Sequence, residues 1–190
     1  MPGVSVCIDA LASIEPKPRL AVFPPATDRD SFRQCGDYWL NKRNVYFESG
    51  TSLKASAEAN CATFRSMGGY GADDHGGWYC GRRMEHCLRG DLLQTIPQDA
   101  LYAVDDSSVY CDGKPQPGVD HARWRLLDGH FSGDCSRVYY LERKLPRVDV
   151  ASWRLLQGSW PRDHKHLFHM FMIETDPMLR AQHGFTDDEG

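Results

Sequence analysis

The stretch best equipped for chemistry is DHKHLFH, residues 163–169. Imidazole nitrogens and carboxylates are zinc-type ligands, and Asp163, His164, His166 and His169 bring four of them close together in sequence. Side chains alternate along an extended strand, so His164 and His166 share one face while His169 takes the other. The set is therefore divided, and the sequence predicts neither a bound metal nor a cofactor. Cys87 follows His86, but strand neighbours face opposite ways and no third residue is spaced to orient the pair, so a Cys-His nucleophile is not expected. There is no G-x-S-x-G, no Walker-type loop, no H-E-x-x-H and no dinucleotide fingerprint. No catalytic residue is assigned, and the chain is expected not to be an enzyme. The remaining candidates are carboxylates: Asp73, Asp74, Asp105, Asp106, Asp128 and Asp134. A carboxylate beside a tight turn satisfies that turn's own amides, and an exposed one steers a basic partner; the sequence supports both uses.

The positioning elements follow from an internal repeat. NKRNVYF at 41–47, DHGGWYC at 74–80, DDSSVYC at 105–111, DCSRVYY at 134–140 and DHKHLFH at 163–169 align, with starts 33, 31, 29 and 29 residues apart. Phe64, Thr95, Trp124 and Trp153 precede the later segments in constant phase, and Asn60, Asp91, Asp120 and Asp149 stand four residues before those landmarks. The alignment makes Val45, Trp78, Val109, Val138 and Leu167 one row, and Tyr46, Tyr79, Tyr110, Tyr139 and Phe168 another. One row should enter the core and the other should pack beneath loops or line an exposed face. Short polar runs such as DDSS form turns, the following VYC has high strand propensity, and Asp112-Gly113 suits a two-residue hairpin. Asp120 is placed to cap a short helical turn.

These signals predict a mainly β fold, β-rich α+β, of tandem hairpin repeats of about 29–33 residues with short helical turns between them. The repeat region spans 37–170 within one domain, 1–180, and 181–190 reads as a polar C-terminal tail. The structural repeat residues are Phe64, Trp78, Tyr79, Val109, Tyr110, Trp124, Val138, Tyr139, Trp153, Leu167 and Phe168. Residues 4–8, VSVCI, read as a further short strand.

The chain has 190 residues and a formal net charge of -4, which withholds the electrostatic gain a nucleic-acid binder uses. It lacks an export signal and a long apolar run, so a cytoplasmic location is expected, with no direct nucleic-acid or membrane contact. Its seven cysteines are odd in number and include no CxxC pair, which fits reduced thiols.

The turn-plus-aromatic unit resembles the DKNYY family, most clearly at Asp105–Cys111, Asp134–Tyr140 and Asp163–His169. The Lys position of that signature holds His75, Asp106, Cys135 and His164, and the double Tyr stands at Tyr139-Tyr140. The resemblance implies a repeated β-rich domain and no catalytic set. By association it implies an immunity protein that binds a cognate cytoplasm-acting bacterial toxin, possibly a nuclease, encoded by an adjacent gene. A structural or carbohydrate-binding repeat module is the alternative reading, and a small-molecule enzyme the third.

Overall fold

The computed structural model describes residues 29–50, 52–56, 58–127, 130–155 and 160–185. The strand expected at 4–8, the candidate Asp128 and the cysteine Cys7 lie outside the described residues.

Each polar turn folds because one side chain substitutes for missing backbone partners. Asp105 Oδ1 accepts the amides of Ser107 and Ser108 at 2.9 and 2.8 Å, while Asp105 N donates to Ser108 O. Asn41, Asp73, Asp134 and Asp163 make equivalent turns. A strand runs into each turn and another runs out, and a second reversal adds an edge strand. After Cys111, Asp112 and Gly113 take φ of 52° and 73°, which closes a two-residue hairpin as the Asp-Gly pair predicts.

The result is a mainly β fold of repeated four-stranded antiparallel sheets, each a simple meander. The first holds β1 (Arg33–Cys35), β2 (Tyr38–Leu40), β3 (Val45–Ser49) and β4 (Ser52–Ser56). The second holds β5 (Arg65–Met67), β6 (Tyr70–Asp73), β7 (Gly76–Tyr79) and β8 (Arg82–Arg83). The third holds β9 (Gln94–Ile96), β10 (Asp99–Val104), β11 (Val109–Cys111) and β12 (Lys114–Pro115). The fourth holds β13 (Arg125–Leu126), β14 (Phe131–Gly133), β15 (Val138–Tyr140) and β16 (Arg143–Lys144). A fifth unit is split into two pairs, β17 (Arg154–Leu155) with β18 (Pro161–Arg162) and β19 (Phe168–His169) with β20 (Met172–Ile173), joined by the bridge Arg162 to Leu167. Short 3-10 turns at Gly90–Leu92 and His121–Arg123 connect units, the latter capped by Asp120 through Ala122 N. A single α-helix among the described residues, α1 (Pro177–Gln182), follows, and Phe185, inside the segment the sequence assigns to the tail, is 4% exposed beneath the Arg162 guanidinium.

Apart from the half-buried Tyr79, both aromatic-containing rows are buried, which departs from the expected division into a core row and a row beneath loops or on an exposed face. Val109 and Tyr110 are each 0% exposed, as is Tyr139. The reason is that sheets lie face to face. Val109 joins a cluster with Trp124 and Leu126 of the following unit, whereas Tyr110 joins Tyr70 and Met84 of the preceding one. Val45, Tyr38, Phe64 and Trp78 fill the first interface, and Phe131, Val138, Trp153 and Phe168 the fourth. The core is thus a series of thin layers, one between each pair of neighbours.

Two registers differ from the sequence alignment. In the second unit Asp73, rather than Asp74, is the turn residue, so Trp78 takes the Tyr row and Gly77 the Val row. Turn residues 41, 73, 105, 134 and 163 are then 32, 32, 29 and 29 apart, more even than the sequence alignment gives. In the third unit Leu93, rather than Thr95, closes the 3-10 turn and enters the core as Phe64 and Trp124 do, which places Arg89 instead of Asp91 at the cap.

Tyrosine hydroxyls key neighbouring sheets together. Tyr38 Oη donates to Gly69 O at 2.9 Å, Tyr70 Oη to Leu101 O at 2.7 Å and Tyr102 Oη to His130 O at 3.0 Å. Gly113 N donates back to Tyr70 Oη at 3.1 Å. Phe131 occupies the corresponding place in the fourth sheet, where aromatic packing on Trp153 replaces the hydroxyl bond.

Candidate functional site

The carboxylates expected to face a partner divide into two kinds. Asp73, Asp105 and Asp134 are 4%, 7% and 2% exposed, and their oxygens are occupied inside the fold. Asp73 Oδ2 accepts Asn60 N and Asp134 Oδ2 accepts Asp120 N, each at 2.7 Å, which ties a connecting turn to the following hairpin. Asp163, 1% exposed, does the same with Asp149 N. Asp105 Oδ2 instead accepts Tyr110 Oη. Burial alone would raise the carboxyls of Asp105, Asp134 and Asp163, but the donated hydrogen bonds outweigh it and hold all three below the ordinary carboxylate range. These groups lock the turns from inside the fold. Asp74 and Asp106 are exposed; Asp74 accepts from Thr63 Oγ1 at 2.7 Å, and that bond foremost lowers its carboxyl.

The histidines of 163–169 point three ways. His164 Nδ1 lies 2.8 Å from Asp149 Oδ2, His166 Nδ1 lies 3.2 Å from Asp163 Oδ2, and His169 stacks on Trp160 at 5.1 Å between centroids. Ser152, His164 and Asp149 form a compact triangle, with Ser152 Oγ 2.6 Å from Asp149 Oδ2 and 2.9 Å from His164 Nδ1. A nucleophilic relay sets the carboxylate and the hydroxyl on opposite ring nitrogens. Here both meet Nδ1, so the cluster fastens two turns as Thr63 and Asp74 do in the second unit. The ligand atoms of Asp73, Asp74 and His75 lie within 4.8 Å of one another, yet each carboxylate already accepts hydrogen bonds from the chain.

Six described cysteines are free thiols. Burial pushes Cys87 up to about 11 and Cys111 up to about 12, so both stay protonated and unreactive near neutrality. Cys80 is exposed, but partial burial also raises its thiol.

An open cleft of about 780 Å³ runs along the edge strands of the first three sheets. Lys54 of β4, Arg82 and Arg83 of β8, and Lys114 of β12 line it, over a floor that includes Tyr79 and Gly113. Tyr79 Oη donates to Asp112 Oδ1, which fixes the floor between the second and third units. Burial first, then that bond, raises the Tyr79 phenol far above its ordinary value. The cleft offers exposed cations beside the carboxylates of Glu85 and Asp112, over a half-buried floor. No single sequence motif marks it, because its residues come from three repeats; only the recurrence of Lys and Arg after the VYC-like segments hints at it. Among the described residues no aromatic side chain is fully exposed: Trp78, Tyr110 and Tyr139 are buried, and Tyr79, Trp124 and Trp153 are half-buried. No described helix is long and apolar enough to cross a membrane.

No protein-family model, curated protein or solved structure matches the chain.

Proposed function

We propose that this chain is a non-catalytic protein-interaction module built of tandem hairpin repeats, whose most concrete role is to bind and neutralise a cognate cytoplasm-acting toxin in the manner the DKNYY resemblance implies. The observation that carries the reading is the cleft built jointly by three sheets whose turns are locked by Asn41 and by the buried carboxylates Asp73 and Asp105, and whose faces are keyed by tyrosine hydroxyls. The backbone of such a frame loses little freedom on binding, which lowers the ordering cost of an interface. The partner-facing charges of this reading are the exposed ones, with Asp74 and Asp106 kept and Asp73, Asp105 and Asp134 withdrawn to the frame.

A carbohydrate or base-stacking module requires aromatic faces open to solvent. The burial of the aromatic rows favours protein recognition over it. The test is co-expression with the product of the adjacent gene, followed by size-exclusion chromatography and an assay of that product's toxicity. A stoichiometric complex that abolishes toxicity is the expected result. Separate elution at micromolar concentrations with undiminished toxicity would overturn the toxin-neutralising reading.

A further inference from the structure

We infer that the free edge of β4 takes up an extended segment of a partner protein as an added strand, held by the outward main-chain groups of Leu53 and Ala55. The inference rests on the reading of the chain as a protein-binding module and names the form in which the partner is held.

The register decides which main-chain groups of β4 point away from β3. Ser49 and Ser52 close a two-residue hairpin and so form a hydrogen-bonded pair, and bonded and non-bonded pairs then alternate along the ladder. Lys54 and Ser56 are accordingly bonded to Phe47 and Val45, while Leu53 and Ala55 turn their N–H and C=O groups outward. The bond from Asn41 N to Asn44 O sets the same phase from the β2 side of β3. Among the described residues the outward groups of Leu53 and Ala55 have no hydrogen-bond partner, and Ala55 is exposed.

Every open sheet has edges, and most edges here are kept short. β4 has five residues, whereas β8, β12, β16 and β20 have two each and β1, β5 and β9 on the opposite side have three. In β8, β12 and β16 the same alternation leaves Arg83, Pro115 and Lys144 outward, each flanked by residues bonded inward. Pro115 has no N–H to offer at all. An added strand needs donors and acceptors on alternate residues of an extended edge, which Leu53 and Ala55 supply. That demand selects polypeptide, because a nucleic-acid backbone brings acceptors without the matching run of donors, and it is independent of the mixed charges in the cleft. Lys54 turns the assignment away from a second copy of this chain. Two-fold pairing that uses all the outward groups sets Leu53 against Ala55 and Lys54 against Lys54, and like charges directly opposed destabilise a ladder. The partner strand therefore presents a non-cationic side chain to Lys54, at the margin of the cleft that Lys54 and Ala55 line.

The test is amide hydrogen exchange read by NMR on the full chain, alone and with a capped peptide of alternating valine and threonine. In the free chain the Leu53 and Ala55 amides should exchange about tenfold or more faster than those of Lys54 and Ser56, and saturating peptide should slow them by about tenfold or more. Ala55→Pro removes an outward donor without touching a bond to β3. By anisotropy of the fluorescein-labelled peptide it should weaken binding about tenfold or more, while Gln34→Pro, at the outward position of β1 on the opposite edge of the same sheet, should stay within about twofold of wild type. Slow exchange of Ala55 in the free chain would overturn the inference, a concentration-independent rate pointing to another segment of this chain and a concentration-dependent one to a second copy. So would a peptide that leaves both amides unprotected, or equal binding by Ala55→Pro. Failure here is distinct from failure of the proposed function: an adjacent-gene product that binds Ala55→Pro as tightly as wild type removes the added strand and leaves the interaction module standing.

Discussion

The turn aspartates set how this molecule responds to acid. Asp105, Asp134 and Asp163 have carboxyls held below their ordinary range by donated hydrogen bonds, so in acid the unfolded chain binds more protons than the folded one. Their contribution is therefore complete above the unfolded carboxyl value near ~4 and is lost as pH falls through the depressed folded values. The denaturant midpoint should be nearly flat from about pH 7 to about pH 5 and drop below about pH 4, with the drop reduced in Asp134→Asn. A midpoint that holds constant to about pH 2 would show that the locks add nothing. Tyr70 gives a second residue-scale prediction. Tyr70→Phe removes one donor to Leu101 O and the acceptor for Gly113 N, and should cost about 1–2 kcal/mol in urea unfolding.

At the scale of elements, each interface layer is closed by one landmark side chain and one row. Trp124 packs on Tyr102 at 5.6 Å and donates Nε1 to Gln116 Oε1, while Trp153 packs between Phe131 and Phe168. Both are half-buried rather than fully enclosed, so Trp124→Ala and Trp153→Ala should each cost about 2–4 kcal/mol, toward or below the low end for a buried Trp. Wild-type unfolding of both variants would contradict the layered core. The second unit departs from the others at Gly77, where a Cβ would stand 2.6 Å from Cys87 Sγ and 3.1 Å from Leu93 Cδ2. Cys87 fills the space that a Val-row side chain fills elsewhere. Gly77→Ala should therefore destabilise by about 1–3 kcal/mol, and Cys87→Gly in the same chain should restore part of that loss, a non-additivity read by a double-mutant cycle. This exchange also explains why the repeat was legible at 105–111 and shifted by one at 73–79. DDSSVYC carries its polar turn and its branched residue in the usual order, whereas Gly76 and Gly77 erase the branched residue and leave Trp78 to be matched to the wrong row. Thr95 was matched for a similar reason, since Leu93 replaces an aromatic landmark with an aliphatic one.

Across the whole molecule, periodicity was readable because equivalent residues meet equivalent neighbours, and two landmarks in phase suffice to count units. The burial of both rows was not readable, because alternation along a strand says which residues oppose each other and nothing about how many faces are covered. The cleft was hidden for a related reason. Lys54, Arg82 and Lys114 are separated by 28 and 32 residues and converge only when the sheets lie face to face with their edges in file. The recurring acidic residue belongs to the frame: Asp73, Asp105, Asp134 and Asp163 are each buried and bonded within their own turns. Thermal unfolding of Asp73→Ala, Asp105→Ala, Asp134→Ala and Asp163→Ala beside Asp106→Ala tests it most directly. Each of the first four should cost about 1–3 kcal/mol, or roughly 2–4 °C in Tm per kcal/mol for a chain of this size, with Asp106→Ala within about 0.5 kcal/mol of wild type. Equal melting of all five variants, or a larger loss in Asp106→Ala than in the others, would contradict the claim.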